Sequence, residues 1–276
     1  MGKRAGCGIA AAAMLMVSAS AAMAADPDGW LDTSMFTGYG SVRHSYVAPD
    51  DAGDSGHGIG IGGTTVMNFG TDFHAQVSGN YDHAFTGGED VDVLQGQGML
   101  FWRDPTAGLF GVTGDAGAMA WGDFADLNVY RAGFYGQYFG ADIMTLSGGA
   151  GFVSIDGVSR STLPDVEGEG FYLQAGLTYY LSDHFAVGTG AAYHDLTKIN
   201  DNMTTVSVAG EYLMPLSMPT SIVAGYGYAD NGNHFDNHLL QIGLRLHFGA
   251  DDSTIMSLHR TGAGDEGDYN SFILGY

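Results

Sequence analysis

From residue 36 onward the chain repeats one pattern: windows of about ten to fourteen residues in which large apolar side chains alternate with small or polar ones, separated by Gly, Asp, Asn and Pro breaks. A period of two puts successive side chains on opposite faces, so the pattern predicts strands. Windows fall near 36–47, 58–69, 73–85, 91–103, 109–121, 127–139, 142–155, 170–182, 184–195, 203–214, 220–229 and 238–248, which makes twelve. In the last of them Leu240, Ile242, Leu244, Leu246 and Phe248 share one face, and Gln241, Gly243, Arg245 and His247 share the other. Residues 170–182 likewise set Phe171, Leu173, Leu177 and Leu181 against Tyr172, Gln174, Thr178 and Tyr180. Residues 127–139 set Tyr130, Ala132, Phe134 and Tyr138 against Arg131, Gly133, Tyr135 and Gln137.

The connections alternate in length. Residues 70–72, 104–108, 140–141, 182–183 and 215–219 are tight, whereas 50–56, 87–90, 122–126, 157–169, 197–202 and 230–237 are mostly longer and acidic. A meander whose two ends differ in this way predicts an up-and-down barrel with short turns at one rim and long loops at the other. A soluble sandwich also alternates, but its apolar face is the inner one, and a surface with so few charges would leave the outer face poorly solvated. Aromatic residues gather at strand ends (Phe69, Phe73, Phe85, Trp102, Trp121, Tyr130, Phe139, Tyr180, Phe185, Tyr193 and Phe248), which predicts interfacial girdles.

Composition narrows the class. Only 14% of residues are charged and 45 are glycine, a balance that suits strands facing lipid on one side and a polar interior on the other. Acidic residues number 31 against 9 Lys and Arg, for a net charge of -22, which excludes nucleic acid as a partner class. Lys3-Arg4, the apolar run from Ile9 to Val17, and Ala22-Met23-Ala24 before Asp26-Pro27 predict a cleavable secretory signal over 1–25, the alternative being a retained anchor. Cys7, the one cysteine, lies in that segment, so the processed chain has no thiol for a disulfide, a metal site or a nucleophile. After residue 25 no run reaches the roughly 18 to 20 apolar residues of a spanning helix. The expected organisation is a signal peptide (1–25), a short lead (26–35), a transmembrane barrel (36–248), and an acidic periplasmic tail or an additional hairpin (249–276).

These features resemble the bacterial outer-membrane β-barrel superfamily over roughly 36–248. The signal, the alternating windows and the segment from His238 to Phe248 carry the resemblance, and that segment looks like the final-strand signal read by the barrel-assembly machinery. The resemblance implies a transmembrane antiparallel barrel in the outer membrane, inserted by that machinery, with lipid and lipopolysaccharide around it and no cofactor. One departure is that 28 residues follow Phe248. Windows at 253–260 and 269–276 could add a hairpin and raise the count to fourteen, but they are short for spanning strands, which need about nine to eleven residues.

Charge on the lipid face costs about 2–4 kcal/mol at mid-bilayer, so ionisable strand residues are expected to face the lumen. Parity assigns Arg43, His74, Asp82, Arg103, Asp115, Arg131, Glu211 and Arg245 there as pore-lining candidates, with His194 and His247 on the same side. They would line an aqueous path of mixed sign for ions or small polar solutes, although parity alone accounts for their placement. Small inward residues (Gly60, Gly62, Gly133, Gly149, Gly151, Gly188 and Gly190) would leave a channel open, or simply ease wall curvature. The acidic loop residues, such as Asp50, Asp51, Asp54 and Asp165, form no calcium-loop pattern.

Other functional classes stay open. A barrel enzyme would draw on His83, Tyr193-His194-Asp195 or Ser182-Asp183-His184, but no G-x-S-x-G elbow is present and contiguous residues diverge instead of forming a triad. An autotransporter-like unit or an adhesive barrel would share the fold. The oligomeric state is not legible.

Overall fold

The computed structural model describes residues 35–49, 55–69, 72–86, 89–122, 125–141, 143–159, 166–196, 201–230, 236–249 and 254–261. The expected leader and the window at 269–276 lie outside them. Twelve strands follow in chain order: β1 (Phe36–Pro49), β2 (Gly56–Asn68), β3 (Phe73–Thr86), β4 (Glu89–Asp104), β5 (Gly108–Trp121), β6 (Ala125–Ala141), β7 (Met144–Ser159), β8 (Val166–Ser182), β9 (Phe185–Leu196), β10 (Asp201–Met214), β11 (Thr220–Asp230) and β12 (Asp236–Phe248). Each pairs antiparallel with the next, and β12 returns to β1 from Gly38↔Phe248 to Pro49↔Asn237, which closes the barrel. All twelve predicted windows are strands, displaced by a few residues at their ends.

Fourteen strands are ruled out. The closing β1–β12 ladder leaves no edge for a further hairpin, and the window at 253–260 contains a short helix, α1 (Ile255–Arg260), instead of a strand. Thr254 caps it, its hydroxyl accepting from the Ser257 amide at 3.2 Å, and His259-Arg260 occupy the last turn, where cations suit the helix dipole.

The alternation read from sequence becomes an inside-out distribution. On β12, Leu240, Ile242, Leu244 and Leu246 are each about half exposed on the outer wall, while Arg245 between them is only 5% exposed and points inward. The described arginines follow one rule: Arg43, Arg103, Arg131 and Arg245 face the lumen, Arg260 belongs to α1, and none lies on the outer wall among the described residues. An outer surface this apolar is the side that meets hydrocarbon in a membrane barrel.

Two of the expected girdle residues are not on that wall. Phe139 and Tyr180 are buried inside the barrel, because strand parity outranks their position near strand ends. Phe69, Phe73, Phe85, Trp102 and Tyr130 are exposed outside as expected.

The interior is itself divided. In its long-loop half, Ala84, Val91, Val93, Met119, Val129 and Ile155 belong to one buried apolar cluster running from β3 to β9. Met203, Ala229 and Leu239, with Val47 against them, continue that collar over β10 to β12 and β1. Period two alone did not reveal this collar, because it shows that a residue faces inward and not what its neighbours around the wall are.

The inside-out arrangement makes a direct prediction. Ile242→Arg, on the outer wall of β12, is expected to cost about 2–4 kcal/mol in urea unfolding from lipid vesicles. Gln241→Arg, one residue away and facing inward, is expected to cost much less.

Candidate functional site

The eight lumen candidates all face inward, and the structure gathers six of them into three arginine–carboxylate pairs, with His74 and Arg103 outside those units. Arg43 on β1 reaches across β2 to Asp82 on β3, with Nε donating to Oδ1 at 2.9 Å and Nη2 to Oδ2. The row Arg43↔Gly60↔Asp82 shows why this is possible. A Cβ at Gly60 would sit 2.7 Å from Arg43 Nε, so glycine is the side chain that lets the pair form over the intervening strand. Asn80 adds a donor to Asp82 Oδ2 at 3.2 Å.

Arg131 and Asp115 are direct cross-strand partners on β6 and β5, joined Nε to Oδ1 at 2.8 Å. The Tyr172 ring lies 5.7 Å from the Arg131 guanidinium, and it occupies the space over Gly133 and Gly151, whose added Cβ atoms would meet Tyr172 side-chain atoms at 2.6 and 2.7 Å. His194 stacks beyond it at 6.0 Å, buried, with neither ring nitrogen hydrogen-bonded. His74 stacks on Phe101 at 5.2 Å.

The third unit centres on Glu211 of β10. Arg245 Nη1 donates to Oε2 at 2.7 Å, His247 Nε2 lies 3.4 Å from Oε1, and His259 of α1 contacts Oε2 at 3.1 Å. Ser221, fully buried on the strand between, contacts His247 Nε2 at 2.9 Å. Arg43, Arg131 and Arg245 thus each have a carboxylate partner, whereas Arg103, the fourth lumen arginine, contacts the Thr261 carbonyl.

The helix α1 is the functional element that sequence reading missed. Ile255 is fully buried and its amide donates to Asp183 O at 2.8 Å, while Leu258 packs with Tyr180, Ala186 and Leu213 on the inner wall. Arg260 donates from Nη2 to Met144 O at 2.9 Å and lies over the Phe139 and Tyr180 rings at 4.9 and 5.6 Å. Arg103 reaches from β4 to Thr261 O at 3.5 Å. Residues 254–261 thus lie across the short-turn mouth from the β10 wall to the β4 wall, and they explain why Phe139 and Tyr180 turn inward. A six-residue helix is too short for a periodic signal. Its cap and its basic last turn were the available clues.

Above α1 the lumen holds a half-open cavity of about 250 Å³. Its wall includes Gln76, Gln137, Gln174, Thr205 and Ser207, and its lower side includes Glu211, Leu258 and His259. The small residues expected to hold a channel open divide into two sets. Gly60, Gly62, Gly133, Gly149 and Gly151 are overlain by neighbouring side chains, whereas Gly188 and Gly190 line this cavity.

The residues considered for catalysis do not converge. His83 is on the outer wall, paired with Asp92 at 2.9 Å. Tyr193 and Asp195 alternate away from the buried His194, and Ser182 and His184 sit in the exposed β8–β9 turn. Among the described residues no group of three His, Cys, Asp or Glu is placed to hold a metal.

Twelve antiparallel strands close into a barrel with an apolar outer wall and with its strand arginines turned inward. No family model and no curated protein matches the chain. Among solved structures it is similar to the translocator domain of the autotransporter NalP from Neisseria meningitidis (14% identity, 87% of this chain and 97% of that one, TM-score 0.47). It is also similar to the KdgM porin (12%, 75% and 99%, TM-score 0.45) and to an anion-selective porin from Comamonas acidovorans (11%, 77% and 98%, TM-score 0.40). Likeness of this degree carries no argument about function, and the barrel is defined by its own strand pairing.

The Arg43–Asp82 pair yields the test of this subsection. Asp82→Asn alone strands a buried guanidinium and is expected to cost about 3–5 kcal/mol in urea unfolding, whereas the double change R43M/D82L is expected to fall near wild type.

Proposed function

We propose that the chain is an outer-membrane channel for small polar solutes whose short-turn mouth is held shut by α1. The observation that carries this reading is the cavity of about 250 Å³ inside a closed barrel, with amide and hydroxyl groups in its wall and α1 below it. A barrel built only as a scaffold or adhesin gains nothing from hydroxyl and amide groups around an internal void, whereas a solute path needs them. The paired lumen charges favour weak ion selectivity, because Arg43, Arg131 and Arg245 each face a carboxylate and Arg103, bonded to the Thr261 carbonyl, adds one positive charge at the α1 mouth.

The reading has a cellular setting. Residues 1–25 act as the export signal, the barrel-assembly machinery inserts 36–248, and lipid with lipopolysaccharide surrounds the outer wall. Both ends of the strand ladder then face the periplasm with the short turns, so α1 closes the periplasmic mouth.

Closure by α1 rests on contacts that solute or voltage could exchange. Its polar anchors are the Arg260 bonds, the His259–Glu211 contact and the Arg103–Thr261 bond. Purified protein in planar bilayers is expected to show brief, small stepwise openings with little preference between anions and cations. Arg260→Ala removes about 1–3 kcal/mol of seating, so the open fraction is expected to rise by about fivefold to a hundredfold. Absence of current from both wild type and R260A across several salts would overturn the channel reading.

A further inference from the structure

We propose that the cavity above α1 is a binding site for a single uncharged, polyhydroxylated solute of about hexose size. This deepens the channel reading and depends on it only for how the solute reaches the site.

Size sets the first limit. At about 250 Å³ the cavity falls just below the roughly 300–1,000 Å³ typical of drug-sized pockets. A space of that size suits a solute of about a dozen non-hydrogen atoms.

Chemistry sets the second. Gln76, Gln137 and Gln174 offer amides that both donate and accept, and Thr178, Thr205 and Ser207 add hydroxyls that do the same. Such groups match O–H functions, which also donate and accept. Full charges enter the wall only through Glu211 and Arg245, and these already neutralise one another at 2.7 Å. An ionic solute would therefore lose its hydration without gaining a free countercharge. Tyr39 and Tyr135 supply ring surface for the C–H faces that a polyol presents between its hydroxyls.

One feature shows that the space is kept and is not left over. At Gly188 an added Cβ would find its nearest neighbour, Thr178 Oγ1, at 3.6 Å, an ordinary contact. A larger residue would fit the wall there, unlike at Gly60 or Gly133, and would fill the cavity instead. His259 and Leu258 complete the lower boundary, so the site exists in its closed form only with α1 in place.

The test is calorimetric titration of the full-length purified barrel in detergent with glucose, its anionic analogue gluconate and its cationic analogue glucosamine. Saturable glucose binding is expected, at least about tenfold tighter than that of either charged analogue. Gly188→Leu, which fills the cavity, is expected to abolish binding while a heat-modifiable gel shift shows that the barrel is folded. Should that variant fail to fold, Gln174→Leu, which replaces a wall amide by an apolar side chain, serves in its place, with binding weakened severalfold. No saturable glucose signal in wild type would mean the cavity holds water only and would overturn the proposal. Equal binding of a charged analogue, or glucose binding unchanged in the folded variant, would overturn it as well. A barrel that binds glucose without conducting sinks the channel and keeps the site, and one that conducts without binding glucose does the reverse.

Discussion

The pairing of β12 with β1 is the contact on which the rest of the molecule depends. A strand at an open edge presents unpaired amide and carbonyl groups, and each such group in hydrocarbon costs several kcal/mol. Closing the ladder from Gly38↔Phe248 to Pro49↔Asn237 gives every strand two neighbours. Once the wall is closed, the period of two acquires an inside and an outside. The same alternation that buries a core in a soluble sheet here turns Leu240, Ile242 and Leu244 outward and Gln241 and Arg245 inward.

The interior then has to accommodate the charges that the outer wall rejects. It does so by pairing. Arg43 with Asp82, Arg131 with Asp115, and Arg245 with Glu211 each place a guanidinium against a carboxylate in a setting where either alone would be costly. Gly60 makes the first of these contacts possible by leaving a gap in the strand between the partners. The result is a lumen with an apolar collar toward the long loops, paired charges and amides below it, a second apolar cluster near the short turns of β2 to β6, and a short helix across the mouth. Polar interior and closure are thus consequences of one inversion, and the cavity is what remains between collar and helix.

The strands were legible because each carries its own evidence: ten or more residues of alternation bounded by turn residues, with the connection lengths confirming the order. The inward placement of Arg43 and Arg245 was legible for the same reason. The pairing was not, since Asp82 lies 39 residues from Arg43 and meets it only through the register of β2 and the absence of a side chain at Gly60. Gly133 and Gly151 looked like openings, yet Tyr172 from β8 lies over them, which no single strand discloses. Phe139 and Tyr180 were expected in a girdle from their position near strand ends, but their parity and the seat of α1 place them inside. The helix itself is six residues long and draws its stability from burial of Ile255 and Leu258, so its sequence alone held little signal.

The central claim is that the wall faces lipid outside and a restricted polar space inside, and neighbouring residues on one strand test it most directly. In a Cys7→Ser background, single cysteines at Thr205, 5% exposed toward the lumen, and at Val206, 45% exposed on the outer wall, can be probed in vesicles with thiol reagents of differing solubility. The account predicts that T205C resists a lipid-soluble maleimide and reacts slowly with a small water-soluble one, while V206C reacts with the lipid-soluble reagent alone. Rapid labelling of V206C by the membrane-impermeant reagent, with T205C open to the lipid-soluble one, would contradict it.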